Sequence, residues 1–375
     1  METILLIIIL VAVLAVLILV HEFGHFIVAK RNGIRVDEFG FGFPPRAKKL
    51  FHWKGTDFTL NWIPFGGFVR IFGENPADPE LSGSKPKDSF IAKSRWTQAR
   101  VLLAGVFFNI LLAWFLFALS FVMGVPAIVS SSNSLYRHME SGQELVITDV
   151  LQESPASKAG LVPGDIVSNI SEAREVREYP NLDDFAFSGF IKNHPNELLT
   201  IQYTRDGREN SVALKPVVGV LSQDFASIGV ATALSGNLQL SVPRAIWQGG
   251  KSTVKVFFET TRGLASIIGG IFTSNDTPVL EQVSGPIGIA GIVQDSMSEG
   301  FTSILMLVAI ISVNLAVLNL VPFPALDGGR LLILIVEGVR KKTVSPKIVM
   351  WINAVGFFVL IGLMVVVTIS DIIKL

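Results

Sequence analysis

Four stretches of this 375-residue chain are apolar over roughly the length that crosses a bilayer core, about 20 helical residues. They cover residues 3–29, 101–124, 301–323 and 348–369. Within the first, residues 4–20 carry no charged or polar side chain at all. The pattern predicts a polytopic α-helical membrane protein with about four transmembrane helices. Residues 1–20 lack the basic start and small-residue cleavage pattern of a signal peptide, so the first helix is expected to stay attached.

The segments between the spans follow other periods. Residues 39–45 (Phe-Gly-Phe-Gly-Phe-Pro-Pro), 57–64 and 65–70 are short apolar strands broken by Gly and Pro. They predict β-hairpins, too apolar for a free loop and therefore expected against the membrane beside the first helix. Residues 145–217 alternate as half-buried strands do. Within them Pro155 opens a short helix that Gly160 ends, Pro163-Gly164 turns into a strand, and Asp206-Gly207 is a hairpin signal. Residues 244–275 mix apolar and small side chains with Trp247, Phe257 and Phe258, which predicts an amphipathic helix on the outer membrane face. Four regions result. Residues 1–124 and 301–375 are two membrane halves, 125–218 is an extracytoplasmic α+β domain, and 219–300 is linker and amphipathic helix.

Charge orients this arrangement. Residues 30–100 hold 13 Lys/Arg against 7 Asp/Glu, and residues 125–300 hold 12 against 19. Lys30, Arg31 and Arg35 follow the first span, Lys93, Arg95 and Arg100 precede the second, and Arg330, Arg340, Lys341, Lys342 and Lys347 lie between the third and fourth. The positive-inside bias puts these segments in the cytoplasm and 125–300 outside, and four alternating spans are consistent with that. The basic residues are not interleaved with aromatics on one domain, so no nucleic-acid partner is expected. There is no cysteine, so a transition-metal site must use His and carboxylate.

The chemistry sits at the inner end of the first apolar run, in His21-Glu22-Phe23-Gly24-His25. On a helix His21 and His25 are one turn apart and face the same way, so both imidazoles can reach one Zn²⁺, with Glu22 beside them as general base. Two histidines leave a catalytic zinc one protein ligand short. The position six residues beyond His25 is Arg31, so no third histidine follows locally. Glu38 is a local carboxylate candidate. The best remote one is Asp327, in Asn319-Leu-Val-Pro322-Phe-Pro324-Ala-Leu-Asp327-Gly328-Gly329-Arg330, at the cytoplasmic end of the third span. Two prolines before it and two glycines after it free the backbone to turn the carboxylate inward. A scaffold that has lost catalysis fits poorly with the intact motif, and a metal transporter fits poorly with four spans and a large outer domain.

These residues resemble the site-2 proteases, the intramembrane zinc metalloproteases, and most closely their bacterial RseP-type branch. HEFGH matches the first motif of that family, and Asn319 to Gly328 matches the second. Residues 64–69 (Pro-Phe-Gly66-Gly67-Phe-Val) resemble its membrane-associated β-hairpin, 285–290 resemble a segment before the third span, and 145–217 resemble a single PDZ domain. The resemblance implies that His21, His25 and Asp327 ligate Zn²⁺ and that Glu22 moves the proton. It implies that Asn319, Pro322, Pro324, Gly66 and Gly67 meet the substrate. The implied substrate is a single-span protein in the lipid bilayer, such as a trimmed anti-sigma factor or a remnant signal peptide. The implied location is the bacterial inner membrane, with the active site toward the cytoplasm.

Overall fold

The computed structural model describes residues 2–74, 86–130, 133–139, 143–172, 183–221, 224–272 and 285–374. It divides into two compact units, one of residues 1–120 and 242–375 and one of 121–241.

The first unit opens with helix α1 (Glu2–Arg31), apolar on every side along most of its length. Strands β1 (Val36–Trp53) and β2 (Thr56–Ile71) follow, and then helix α2 (Arg95–Met123). The expected hairpins are one folded ribbon. Residues 38–41 lie opposite both 57–60 and 67–70, and residues 46–53 lie opposite 56–61. The ribbon bends where Gly42 and Gly66 take left-handed φ of 80° and 75°. Phe26, Ala29, Ile34, Phe39, Phe58 and Val101 form a common core that fixes the end of α1 to the ribbon and to α2. Gly24 makes the α1–α2 approach close, since a Cβ there would lie 2.5 Å from the Ala104 carbonyl oxygen.

The second unit is an antiparallel sheet with helices packed on it. Its elements are β3 (Val125–Val129), β4 (Glu144–Val150), α3 (Pro155–Lys158), β5 (Ile166–Glu172), α4 (Asp184–Asn193), β6 (Leu199–Arg205), β7 (Arg208–Leu214), β8 (Val217–Val218), β9 (Ala226–Ser227) and β10 (Val230–Leu238). The six-stranded order is β3-β10-β4-β5-β6-β7. The local expectations hold. Ser154 caps the helix that Pro155 begins, Gly160 follows it at φ 83°, and Asp206-Gly207, both left-handed, close the β6–β7 hairpin. Residues 230–238, expected to be linker, are instead a strand paired on both sides, so the unit runs to 241 and not 218. Ala, Ser and Gly dilute the apolar alternation there, and the strand exists because β3 and β4 supply its partners.

Helices α5 (Val242–Phe272), α6 (Pro286–Glu299), α7 (Phe301–Leu320), α8 (Asp327–Arg340) and α9 (Pro346–Lys374) complete the first unit. Among the described residues four helices are long and apolar enough to cross a membrane: α1, α2, α7 and α9. The third ends at Leu320 and not 323, because Pro322 and Pro324 cannot continue the ladder and disfavour helix just before them. Residues 273–284, which include the end of the expected amphipathic helix, lie outside the described residues.

Candidate metal centre and cavity

Helical periodicity puts His21 and His25 on one face of α1, with ring centroids 4.7 Å apart. Asp327, 306 residues beyond His21, reaches them as the first residue of α8. Its Oδ2 lies 3.0 Å from His21 Nε2 and 3.3 Å from His25 Nε2, and the two Nε2 atoms are 3.1 Å apart. Both histidines are buried. Burial disfavours a charge on Asp327, but the contacts with His21 and His25 hold its carboxyl well below the usual carboxylate range.

Chain reversal delivers that carboxylate. Ala325 adopts a left-handed φ of 73°, uncommon for a residue with a Cβ. Side chains at Gly328 or Gly329 would collide with the Val321 and Phe323 carbonyls, so only glycine lets α8 start this close to the end of α7. Gly356 of α9 admits Pro324 in the same way.

Beside the triad is a cavity of about 360 Å³, lined by Glu22, Val69, Glu74, Asn319 and Arg330 as well as the triad itself. Glu22 Oε2 accepts the Val69 N–H at 3.1 Å, so the edge of β2 lies against the general-base candidate. Arg330 pairs with Glu74 across this cavity. The charge of Glu74 pushes the Arg330 guanidinium further up, against the effect of burial. Arg330 is therefore part of the cavity wall, although the sequence pattern reads it only as a topological charge.

The structure brings together His21, Glu22, His25, Asn319 and Asp327. It does not bring Pro322, Pro324, Gly66 or Gly67 to the cavity lining. The prolines break the chain between α7 and α8. The glycines are buried against α1, where a Cβ would lie 2.8 Å from Ile18 and 2.7 Å from Leu19. None of these four faces the space. Glu38 is closed as a local ligand, because its carboxylate accepts Thr59 Oγ at 2.7 Å and pairs with Arg46 at 2.8 Å.

Sequence reasoning missed Gly105 and Asn109, which face the triad from α2. A Cβ at Gly105 would lie 2.6 Å from Nε2 of both histidines, and Asn109 Nδ2 lies 3.3 Å from His21 Nδ1. The small residue one turn before a buried amide was the available signal. Glu172, His194 and Glu197 of the other unit also have ligand atoms within 4.8 Å of one another, but both glutamates are exposed.

The triad fits a zinc ion. Two imidazole nitrogens and one carboxylate oxygen are a catalytic zinc donor set that leaves a position open, and Gly105 keeps the space before them clear. The sequence profile of peptidase family M50 matches residues 9–363. The chain belongs to peptidase family M50, the site-2 proteases. The peptidase is 35% identical to a Clostridium perfringens protein named as a zinc metalloprotease, over 95% of each chain. It is 29% identical to the zinc metalloprotease RasP of Shouchella clausii, over 97% of this chain and 98% of that one. It is 26% identical to a protease named Eep from Enterococcus faecalis, over 96% and 97%. Membership of this family, with four helices able to cross a bilayer, makes the peptidase a multi-pass membrane protein.

Proposed function

We propose that the peptidase is a zinc metalloendopeptidase that cuts peptide bonds within or beside the transmembrane segment of single-span proteins. Trimmed regulators such as anti-sigma factors and remnant signal peptides are the substrate classes. The observation that carries this reading is the meeting of His21, His25 and Asp327 on a cavity at the end of an apolar helix, with Glu22 on the same cavity. His21, His25 and Asp327 hold Zn²⁺, which when bound polarises a scissile carbonyl and acidifies a water. Glu22 takes the proton from the attacking water on its carboxylate and returns it to the leaving amide nitrogen. Asn319, which also lines the cavity, holds the substrate backbone.

A peptide bond inside a helix has its hydrogen bonds already made, so the substrate must be unwound locally before attack. Residues 67–70 pair with 38–41, and at Val69 the N–H turns to Glu22. That supports capture of the freed backbone by strand addition along β2. The Lys/Arg pattern supports a bacterial inner-membrane location with the cavity toward the cytoplasm and residues 121–241 outside. The latter unit is PDZ-like and screens or delivers substrates. The test is zinc analysis of detergent-purified protein together with cleavage of a single-span substrate, with Glu22→Gln as control. Protein without stoichiometric zinc, or cleavage undiminished in the control, overturns the reading.

A further inference from the structure

The two histidines of the triad are supported from behind in different ways. Only Nε2 atoms converge on Asp327, so Nε2 is the atom each ring offers to a metal. A neutral imidazole that gives Nε2 to a metal carries its proton on Nδ1, and that N–H needs an acceptor to fix both tautomer and ring orientation. For His25 the acceptor is main chain, the Val101 carbonyl oxygen at 2.7 Å. No side-chain substitution removes it. For His21 the group at that place is the side chain of Asn109, 3.3 Å from Nδ1.

Asn109 is fully buried and held from two sides. It lies in α2, one turn after Gly105, and its main-chain oxygen accepts the hydroxyl of the equally buried Ser312 of α7 at 2.8 Å. Its Oδ1 is buried with no hydrogen-bond partner, while Nδ2 faces the ring. Amide oxygen and nitrogen differ only by a half-turn of the terminal group. That half-turn brings the orphaned oxygen to the ring nitrogen that needs an acceptor.

We propose that Asn109 is the positioning residue of the metal centre: its amide oxygen accepts the His21 Nδ1–H and so presents Nε2, unprotonated and correctly aimed, to the zinc. The inference rests on the reading of His21 as a zinc ligand. It divides the centre into a histidine set by the backbone and a histidine set by one replaceable side chain.

The test uses the full-length protein in detergent, with zinc affinity measured by chelator competition. Asn109→Leu keeps the size and removes the acceptor, and Asn109→Asp keeps an acceptor oxygen in nearly the same shape. Loss of an outer-shell partner typically weakens metal binding about 10–100-fold, and that loss is expected for the leucine variant. The aspartate variant is expected to stay within about 3-fold of the parent on the same reasoning. Thermal unfolding of the zinc-stripped proteins separates this from packing, because a loss caused by packing would lower the stability of the metal-free protein along with its zinc affinity. If the leucine variant does not fold, Asn109→Ala takes its place in the same comparison.

His21→Ala is the reference. If it loses zinc while the leucine or alanine variant binds as tightly as the parent, the positioning role is overturned. The same holds if Asn109→Asp loses as much affinity as Asn109→Leu. If His21→Ala itself keeps full affinity, the ligand reading fails, and this inference fails with it.

Discussion

At the scale of single residues, the proposed roles separate metal binding from proton transfer. Glu22 lies on the cavity between two candidate ligands, but its carboxylate engages the Val69 N–H and not the triad. Glu22→Gln is therefore expected to retain zinc and lose about 10²–10⁴-fold or more in cleavage, the usual cost of removing a general base. Zinc content and turnover on one preparation check this. Asp327→Ala is expected to lower zinc occupancy as well, because two imidazoles alone are a poor zinc site. Full occupancy in that variant would send the search to another ligand. Gly105 gives a steric counterpart. A methyl at 2.6 Å from both Nε2 atoms must displace the rings, since backbone on α2 cannot yield cheaply. Gly105→Ala is expected to weaken zinc binding without changing any donor atom, by the same chelator titration.

At the scale of elements, close approach and buried polar pairs decide what propensity does not. Asp165, fully buried just before β5, receives Arg205 Nε at 2.6 Å and Nη2 at 2.7 Å from the end of β6. Burial pushes its carboxyl up, but Arg205 and the Val162 N–H prevail and hold it below the ordinary carboxylate value. The sign follows. Its contribution to stability is complete above the unfolded value, about 3.9, and is lost as pH falls through the lower folded one. Arg205→Met removes the partner and leaves burial to raise the carboxyl. The loss of protection in β5 and β6 relative to the parent is then expected to be largest near pH 7 and to shrink on acidification. Hydrogen exchange at pH 7 and pH 5 measures it, and an equal loss at both values would refute the pairing argument. Elsewhere the elements follow the sequence closely: α7 stops before Pro322, and β6 and β7 turn on Asp206-Gly207.

At the scale of the whole molecule, the question is what residues 121–241 contribute. The proposed topology, which rests on the Lys/Arg of the short segments beside the spans, has this unit outside and the cavity toward the cytoplasm. Replacing residues 124–241 by a flexible bridge is then expected to leave cleavage of a pre-trimmed single-span substrate largely intact. It is also expected to permit cleavage of one with a bulky outer domain, which the parent is expected to refuse. Both substrates are compared after the deletion protein is shown to be folded and zinc-loaded. If it cannot cut even the trimmed substrate, the unit delivers substrate and does not merely exclude it.

Sequence alone determined the features that rest on local chemistry. The four apolar spans, the pairing of His21 with His25 one turn on, and the short turns at Gly160 and Asp206-Gly207 are set by neighbours within a few residues. It also pointed to Asp327, because breakers on both sides of a carboxylate at membrane depth are costly without a purpose. Tertiary structure decided the rest. Strand β10 has small residues and forms because two other strands complete it. Gly66, Gly67, Gly105, Gly328 and Gly329 matter through what a Cβ would strike, which depends on helices and carbonyls brought from elsewhere in the chain. Glu74 meets Arg330 across 256 residues, and Asn109 meets His21 across 88. Such contacts leave no periodic trace in the sequence, since each is the meeting of two residues that only the packed helices bring together.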